Sequence, residues 1–350
     1  MLFHLSNMTL GVVILAAGEG TRMRSALPKV LHPICGRPML SYILDVAGAL
    51  DAAAISVVLA PATIATFAAQ LPPDPRRSYT AQHERRGTGH AALQARSAIE
   101  THGAEVLVML GDTPLLQAES TRRIVEARRA AGALVGILSF HTATPTGYGR
   151  IVRDTVGRVL GIVEERAATA EQRAIGECNS GVLCFEAGWM WPALADLPPN
   201  PASGEYYLTD LVERAISERG PGAVVAVAVT DEREAWGVND RAQLAAASAV
   251  VQARILEQHM RAGVTIVNPA TTTIDYSVTI GPDTIIQPGC VLRGATQIGC
   301  GCDIGPHTTL IDARVGDQAR LRYAVVEAAN LPAAADIGPF AHVAGAELPY

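Results

Sequence analysis

Leu15-Ala16-Ala17-Gly18-Glu19-Gly20-Thr21-Arg22, continued through Met23 and Pro28 to Lys29, is the stretch on which the fold turns. Just before it, Val12-Val13-Ile14-Leu15 is a short apolar run of the kind that forms a buried parallel strand. After it, Val30-Leu31, Met39-Leu40 and Ile43-Leu44 carry a helical pattern. A Gly-rich turn therefore leaves the end of a strand, which in an open α/β sheet is where ligands bind. Gly18 and Gly20 leave room for close approach, and their N–H groups can converge on an anion. Thr21, Arg22 and Lys29 add a hydroxyl and two cations, in outline a polyphosphate site.

No Gly-Lys-Ser/Thr closes the segment, so it is not a P-loop, and without a third glycine it is not the dinucleotide fingerprint. On the glycines alone, an ordinary strand-to-loop turn with surface charges stays open. The basic residues tilt the balance. Of 28 Lys plus Arg, Lys29 is the single lysine. A chain that uses Arg everywhere else has a specific need here, such as a compact ammonium on a flexible stem that reaches phosphate oxygens.

The remaining composition sets bounds. A chain of 350 residues has room for two domains with real cores. A formal net charge of −6 argues against a general nucleic-acid surface. No run of 18 apolar residues is present, so no membrane span is expected. Residues 1–10 carry no Lys or Arg and no cleavage-like site, unlike a signal peptide, and either Met1 or Met8 can be the start. Cys35, Cys178, Cys184, Cys290, Cys300 and Cys302 are scattered, and Cys300-x-Cys302 is too close for a usual zinc pair. They read as reduced thiols of a cytoplasmic protein.

From Val12 to Arg241, strand-like runs alternate with helical stretches. The strands are expected at 56–60, 106–110, 134–139, 182–185 and 224–229, with a helix over 90–100. That alternation predicts a Rossmann-like, doubly wound, mostly parallel sheet of the α/β class. Asp112 follows the run ending at Leu110-Gly111 and precedes Thr113-Pro114, so its carboxylate faces the same crevice as the Gly-rich turn. A hard dication often takes only one or two protein oxygens, the rest being phosphate and water, and Asp112 fits that task; a turn-forming Asp before Pro is the plain alternative. Gln82 precedes Gly87-Thr88-Gly89, where the glycines suggest backbone approach to a flat ligand. A loop with a capped helix is the plain alternative. Thr146-Gly147-Tyr148-Gly149-Arg150, Gly161 to Glu164, and Glu177-Cys178-Asn179-Ser180-Gly181 place polar residues at turns and strand ends, a pattern suited to sugar hydroxyls. Thr209 is placed to cap a helix starting at Asp210. Ala242 to Ala262 predicts one helix, ended by Gly263.

After that helix the periodicity changes. Ile274, Ile280, Ile286, Leu292, Ile298, Ile304 and Leu310 recur every six residues. The period is similar to that of the left-handed parallel β-helix, with three faces per coil of roughly 18 residues. After Leu310 the phase slips, and insertions between coils are expected there.

Leu-Ala-Ala-Gly-x-Gly-Thr-Arg-Met with Leu-Pro-Lys-Val-Leu-His, followed by the blocks above and the hexapeptides, resembles one family along essentially the whole chain. That family is the bifunctional N-acetylglucosamine-1-phosphate uridylyltransferases / glucosamine-1-phosphate N-acetyltransferases. The resemblance implies a nucleotidyltransferase (pyrophosphorylase) domain over 1–241, a linker helix over 242–262 and a partial β-helix domain over 263–350. It implies UTP and N-acetylglucosamine 1-phosphate as substrates, in cell-wall precursor synthesis. Residue by residue, it places nucleotide and phosphate contacts on Leu15, Ala16, Ala17, Gly18, Lys29, Leu110, Gly111 and Asp112. Uracil recognition falls on Gln82, Gly87 and Thr88, and the acetylated sugar on Gly149, Glu164 and Asn179. Arg22, Lys29 and Asp112 are the implied catalytic residues, and Asp112 with Asn239 the implied Mg²⁺ ligands. Ser180 stands where the family usually has Thr. The block from Gly204 to Asp210 is expected to help close the sugar side. In the family the β-helix runs on for about another hundred residues that hold the acetyltransferase residues. Acetyl transfer is therefore expected to be absent from this chain, and trimer packing through the β-helix weakened, with exposed apolar edge on the last coil. Two rivals remain. A glucose- or thymidine-directed enzyme is disfavoured by the Ala16-Ala17-Gly18 and Met23 forms and the Glu164/Asn179 pair. A non-catalytic regulatory subunit is disfavoured by the intact Gly loop, Arg22, Lys29, Asp112 and Asn239.

Overall fold

The computed structural model describes residues 9–345 except 202, so the choice between Met1 and Met8 lies outside the described residues. Contacts divide the chain into two compact units. One comprises the described residues up to 32 together with 39–241; the other comprises 33–38 together with 242 onward. Among the described residues no helix is long and apolar enough to cross a membrane.

The first unit is built on one large sheet. Its strands are β1 (Leu10–Leu15), β2 (Ala54–Leu59), β3 (Arg77–Ala81), β4 (Glu105–Leu110), β5 (Val135–His141), β6 (Arg150–Arg153), β7 (Val159–Val163), β8 (Glu177–Glu186) and β9 (Val224–Ala228). The order across the sheet is β9-β5-β8-β4-β1-β2-β3, with β6 joining β8 and β7 joining β6. β1 pairs in parallel with both β2 and β4, whereas β8 runs antiparallel to β4 and β5. Alternate residues of one strand serve different cores. Val13, Val106 and Val108 pack with Trp191 and Leu211 on one face, while Val12, Ile14, Leu107 and Met109 pack with Leu40 on the other. Both faces are covered, so the central runs 12–15 and 106–110 are apolar without a break, as a doubly wound sheet requires.

Three strands carry weaker signals in the sequence. β3 is half-buried along its whole length at the sheet edge and has no continuous apolar run. β6 and β7 form a side ribbon with mixed burial. The helical pattern beginning at Val30 is corrected. Lys29–Leu31 is a single 3₁₀ turn, and the α-helix begins at Met39 and runs to Ala49. Between them Pro33–Ile34 and Arg37–Pro38 pair as a tight antiparallel hairpin about Cys35-Gly36, both at positive φ. The Met39 N–H donates to the His32 carbonyl at 3.0 Å, so the excursion leaves and re-enters the first unit at one point. The helix expected over 90–100 forms as Thr88–Gln94 and Arg96–Ile99.

In the second unit, the helix Arg241–Arg261 is followed by Gly263 at φ 95°. Three stacks of two- and three-residue parallel strands then form the left-handed β-helix. The aliphatic hexad residues point inward, with Ile274, Ile286, Leu292, Ile304 and Leu310 fully buried. A second inward series stands two residues before each inward aliphatic position from Ile280 to Leu331. It is Val278, Thr284, Cys290, Thr296, Cys302, Thr308, Ala313, Ala319, Ala324 and Ala329, all buried. Small side chains fit the tight corners of the coil, which accounts for Cys290 and Cys302 as packing residues. The phase slip after Leu310 comes from residues removed, not inserted. Leu292 pairs with Leu310, eighteen residues on, whereas Ile298 pairs with Val315 after seventeen and Leu310 with Val326 after sixteen. Both inward series shorten together, so the interior stays in register while corners lose a residue. Corner residues at positive φ, such as Asp312 and Tyr323, make those turns.

Leu310→Ala should lower the stability of the β-helix unit by about 2–5 kcal/mol, because a fully buried aliphatic side chain leaves a cavity. A urea unfolding curve checks this, and an unchanged midpoint contradicts the inward register.

Candidate active site

β1 and β4 end side by side, with Leu15 opposite Leu110 in the parallel register. The segments that follow both strands therefore emerge into one crevice. Gly111 N–H donates to the Leu15 carbonyl at 2.9 Å, and Ala16 N–H to the Val58 carbonyl at 2.8 Å. These bonds fix both loops at their roots.

A cavity of about 380 Å³ opens here. Leu15, Ala16, Ala17 and Gly18 line it, together with Lys29, Leu110 and Asp112. Gln82, Gly87 and Thr88 line it as well. All of these are residues singled out in the sequence. A Cβ on Gly18 would meet nothing within 4 Å, so its backbone is open on that side.

At the Lys29 end, three residues distant in sequence converge. The Lys29 ammonium lies 2.5 Å from Asp112 Oδ2 and donates to Asn239 Oδ1 at 3.2 Å. Lys29 and Asp112 side chains are only 10 % and 21 % exposed. The Val238 N–H donates to the Asp112 carbonyl at 2.8 Å, which ties the segment bearing Asn239 to the end of β4. Arg22 stands apart. It lies exposed on the 3₁₀ turn Thr21–Met23 and does not line the cavity.

Gly149, Glu164 and Asn179 also come together, outside the cavity lining. Asn179 N–H donates to the Gly149 carbonyl at 2.8 Å, and a Cβ on Gly149 would stand 3.4 Å from the Glu164 carboxylate. Asn179 Oδ1 accepts from Gly181 N–H at 3.0 Å, across a break in the β5–β8 register. The Ser180 hydroxyl turns inward and donates to the Leu138 carbonyl at 2.6 Å. Glu164 keeps solvent-exposed surface, yet crowding by protein raises its carboxyl above the usual range, opposed by a hydrogen bond from Thr209. Asp210 beside it is pushed up to about 6 by burial and by the charges of Glu213 and Glu164. Thr209 is therefore not the expected side-chain cap. It makes no cap bond, and its hydroxyl serves Glu164.

Two further expectations are refined. Gly87, at φ 97°, is crowded by the chain itself, since a Cβ there would lie 2.5 Å from the Tyr206 carbonyl oxygen. The Gly89 N–H donates to that same oxygen at 2.8 Å, and Leu208 N–H donates to Thr88 Oγ1 at 3.0 Å. The close approach read from these glycines is thus to the segment 205–208. That segment brings Glu205 and Tyr207 into the lining of the same cavity as Gln82. The sequence named these two only as part of the block from Gly204 to Asp210, and it did not single out Arg85, Val30 and Ala91, which also line the cavity. Arg85 lies within the Gln82–Gly87 block, and its Nε donates to the Ala17 carbonyl at 3.2 Å.

Among the described residues no group of three or more His, Cys, Asp or Glu is placed to hold a metal. The donor set at the Lys29 end is one carboxylate and one amide oxygen, both already turned toward one positive charge. That set fits a hard dication whose remaining ligands are phosphate and water.

Comparison with known proteins agrees with this geometry. The family model described as the MobA-like NTP transferase domain matches residues 12–175. The bifunctional protein GlmU of Enterococcus faecalis is 41% identical over 334 residues, covering 95% of this chain and 71% of the relative. GlmU of Streptomyces avermitilis is 43% identical over 337 residues, 95% of this chain and 69% of the relative. GlmU of Mycolicibacterium gilvum is 44% identical over 338 residues, 95% and 67% respectively. A nucleotidyltransferase model spanning both the Gly loop and Asp112, and this identity along nearly the whole chain, show that the chain belongs to the bifunctional GlmU family.

Proposed function

We propose that this chain transfers UMP from UTP to N-acetylglucosamine 1-phosphate, giving UDP-N-acetylglucosamine and pyrophosphate. The observation that carries the reading is the Lys29 ammonium held between Asp112 and Asn239 at the end of a cavity walled by the Gly loop and Gln82. The sugar phosphate is already a nucleophile, so no strong base is required, and the chain contributes position and charge. Lys29 neutralises phosphate oxygens as a point charge. Exposed Arg22 is free to hold the departing pyrophosphate. The backbone of Ala16 to Gly18 steers the triphosphate, Gln82 meets the uracil edge, and Gly149, Glu164 and Asn179 meet the acetylated sugar. Asp112 and Asn239 would hold Mg²⁺, which supplies charge neutralisation across the reacting phosphates. Six free cysteines suit a reducing, cytoplasmic setting.

Lys29 depends on Gly20 for its place. Gly20 sits at φ 64°, and a Cβ there would lie 2.5 Å from the Lys29 Cβ. Gly20→Ala displaces the lysine stem, so kcat should fall on the order of 100-fold, as expected when a positioned charge moves by an ångström. Steady-state kinetics check this, and activity within twofold of the wild type contradicts the positioning.

Asp112→Ala should lower turnover by roughly 1,000-fold or more, since it removes the carboxylate on which the cationic end is built. The thermal midpoint should stay near that of the parent. The deciding assay is pyrophosphate release from UTP and N-acetylglucosamine 1-phosphate with Mg²⁺, run beside glucose 1-phosphate and dTTP. An arm with acetyl-coenzyme A and glucosamine 1-phosphate tests the expectation that acetyl transfer is absent. Release confined to another pair would move the sugar or base assignment. Binding without release would favour a regulatory subunit.

A further inference from the structure

Gln82 is held from behind by a side-chain network that the proposed reaction does not use. Its Nε2 donates to the Gly87 carbonyl at 3.5 Å and lies 3.2 Å from His90 Nδ1. His90 is in the first turn of the helix Thr88–Gln94. On the far side of the imidazole, Gln94 Nε2 lies 3.3 Å from His90 Nε2 and donates to the His90 carbonyl at 3.3 Å. Carbonyl oxygens only accept, so each amide turns its NH₂ toward the ring.

A neutral imidazole has one donor and one acceptor nitrogen, and cannot accept from both amides. Burial decides which contact is kept. Gln82 is 6% exposed, whereas Gln94 is half-buried and can exchange its bond with water. Nδ1 then accepts from Gln82, and Nε2 carries the hydrogen. With its nitrogen committed, Gln82 keeps its oxygen, which has no protein hydrogen bond among the described residues, for the cavity it lines. An amide oxygen accepts from the imide N–H of uracil. Cytosine presents a bare acceptor nitrogen at the same ring position, and two acceptors repel.

We propose that His90 is a positioning residue that fixes the Gln82 amide with its oxygen toward the cavity, and thereby sets the preference for uridine over cytidine triphosphate. The proposal rests on the uridylyl-transfer reading above. It carries a pH signature. Protonation puts a hydrogen on Nδ1, the ring can no longer accept from Gln82, and the amide turns its nitrogen outward, where it suits cytosine. The groups facing His90 are Arg86 and Glu84 from the preceding loop and the Tyr206 ring, 6.5 Å away between centroids, from the segment after Gly204. Burial, and then the Arg86 charge, hold the imidazole below its ordinary value of 6.5, with Glu84 opposing. The change therefore falls on the acid side of that value.

The test is the ratio of kcat/KM for UTP to that for CTP, with N-acetylglucosamine 1-phosphate, from about pH 7.5 down to about pH 5. Phosphate ionisation is common to both nucleotides and cancels in the ratio. In the wild type the ratio should fall at least about twofold more on acidification than in His90→Asn, whose amide oxygen accepts from Gln82 at every pH and keeps the neutral-pH preference. In His90→Ala the ratio should drop by about tenfold at neutral pH, through a raised KM for UTP with kcat little changed, because an amide free to turn no longer penalises cytosine. A wild-type profile parallel to that of His90→Asn overturns the proposal, and so does a His90→Ala ratio within twofold of wild type. The wild-type and His90→Asn profiles decide the matter even where His90→Ala does not fold. A wild type with no preference for UTP overturns the base assignment as well. Preference for UTP that persists whatever stands at position 90 removes the role of His90 alone.

Discussion

The register between two neighbouring parallel strands fixes the rest of the first unit. Leu15 and Leu110 are partners at the ends of β1 and β4, so the chain leaves the sheet twice at the same level and in the same direction. One exit supplies open backbone and a lysine, the other a carboxylate. A slip of one residue would send the slipped strand's side chains to the opposite cores, Val13 to the face that holds Leu40 and Val12 and Ile14 to the face that holds Trp191. The site is therefore located by the same constraint that fills the two cores. The strongly buried, alternating assignment of Val12, Val13 and Ile14 to opposite faces is what makes that register firm.

Much of this was legible in the sequence because it is local. The apolar runs of β1 and β4, the glycines after one and Asp112 after the other, and the hexad spacing of the β-helix are patterns within short windows. What was not legible depends on partners far away in the chain. Thr209 looks like a cap until Glu164 is seen beside it. Gly87 and Gly89 suggest approach by a flat ligand, whereas what a Cβ on either would meet is the backbone of Tyr206, more than a hundred residues on. Edge and ribbon strands such as Arg77–Ala81 lack a continuous apolar signal because they are only half-buried. The antiparallel direction of β8 is invisible in an apolar run that reads the same either way.

The β-helix shows how a repeat tolerates change. Its interior is defined by two inward series, one aliphatic and one small, two residues apart. Shortening a corner preserves both series provided the turn can be made by a residue at positive φ, as Asp312 and Tyr323 do. Hexad counting alone loses the thread after Leu310, whereas the pair of series continues through Leu331. Corner chemistry, with Thr, Cys and then Ala in the tight positions, also removes the need to read Cys290 and Cys302 as redox or metal-binding residues.

The hairpin 33–38 gives the chain an unusual itinerary. It belongs by its contacts to the second unit, where the Cys35 carbonyl accepts from Tyr276 N–H at 2.9 Å and the Arg37 guanidinium stacks 4.1 Å over the Tyr276 ring. Yet it begins four residues after Lys29. The polypeptide thus passes between the two units three times rather than once, and neither unit is a continuous piece of sequence. A cut at the start of the long helix does not yield two independent halves. It strips six residues of the partners that bond them, at the doorstep of the one lysine the chain possesses.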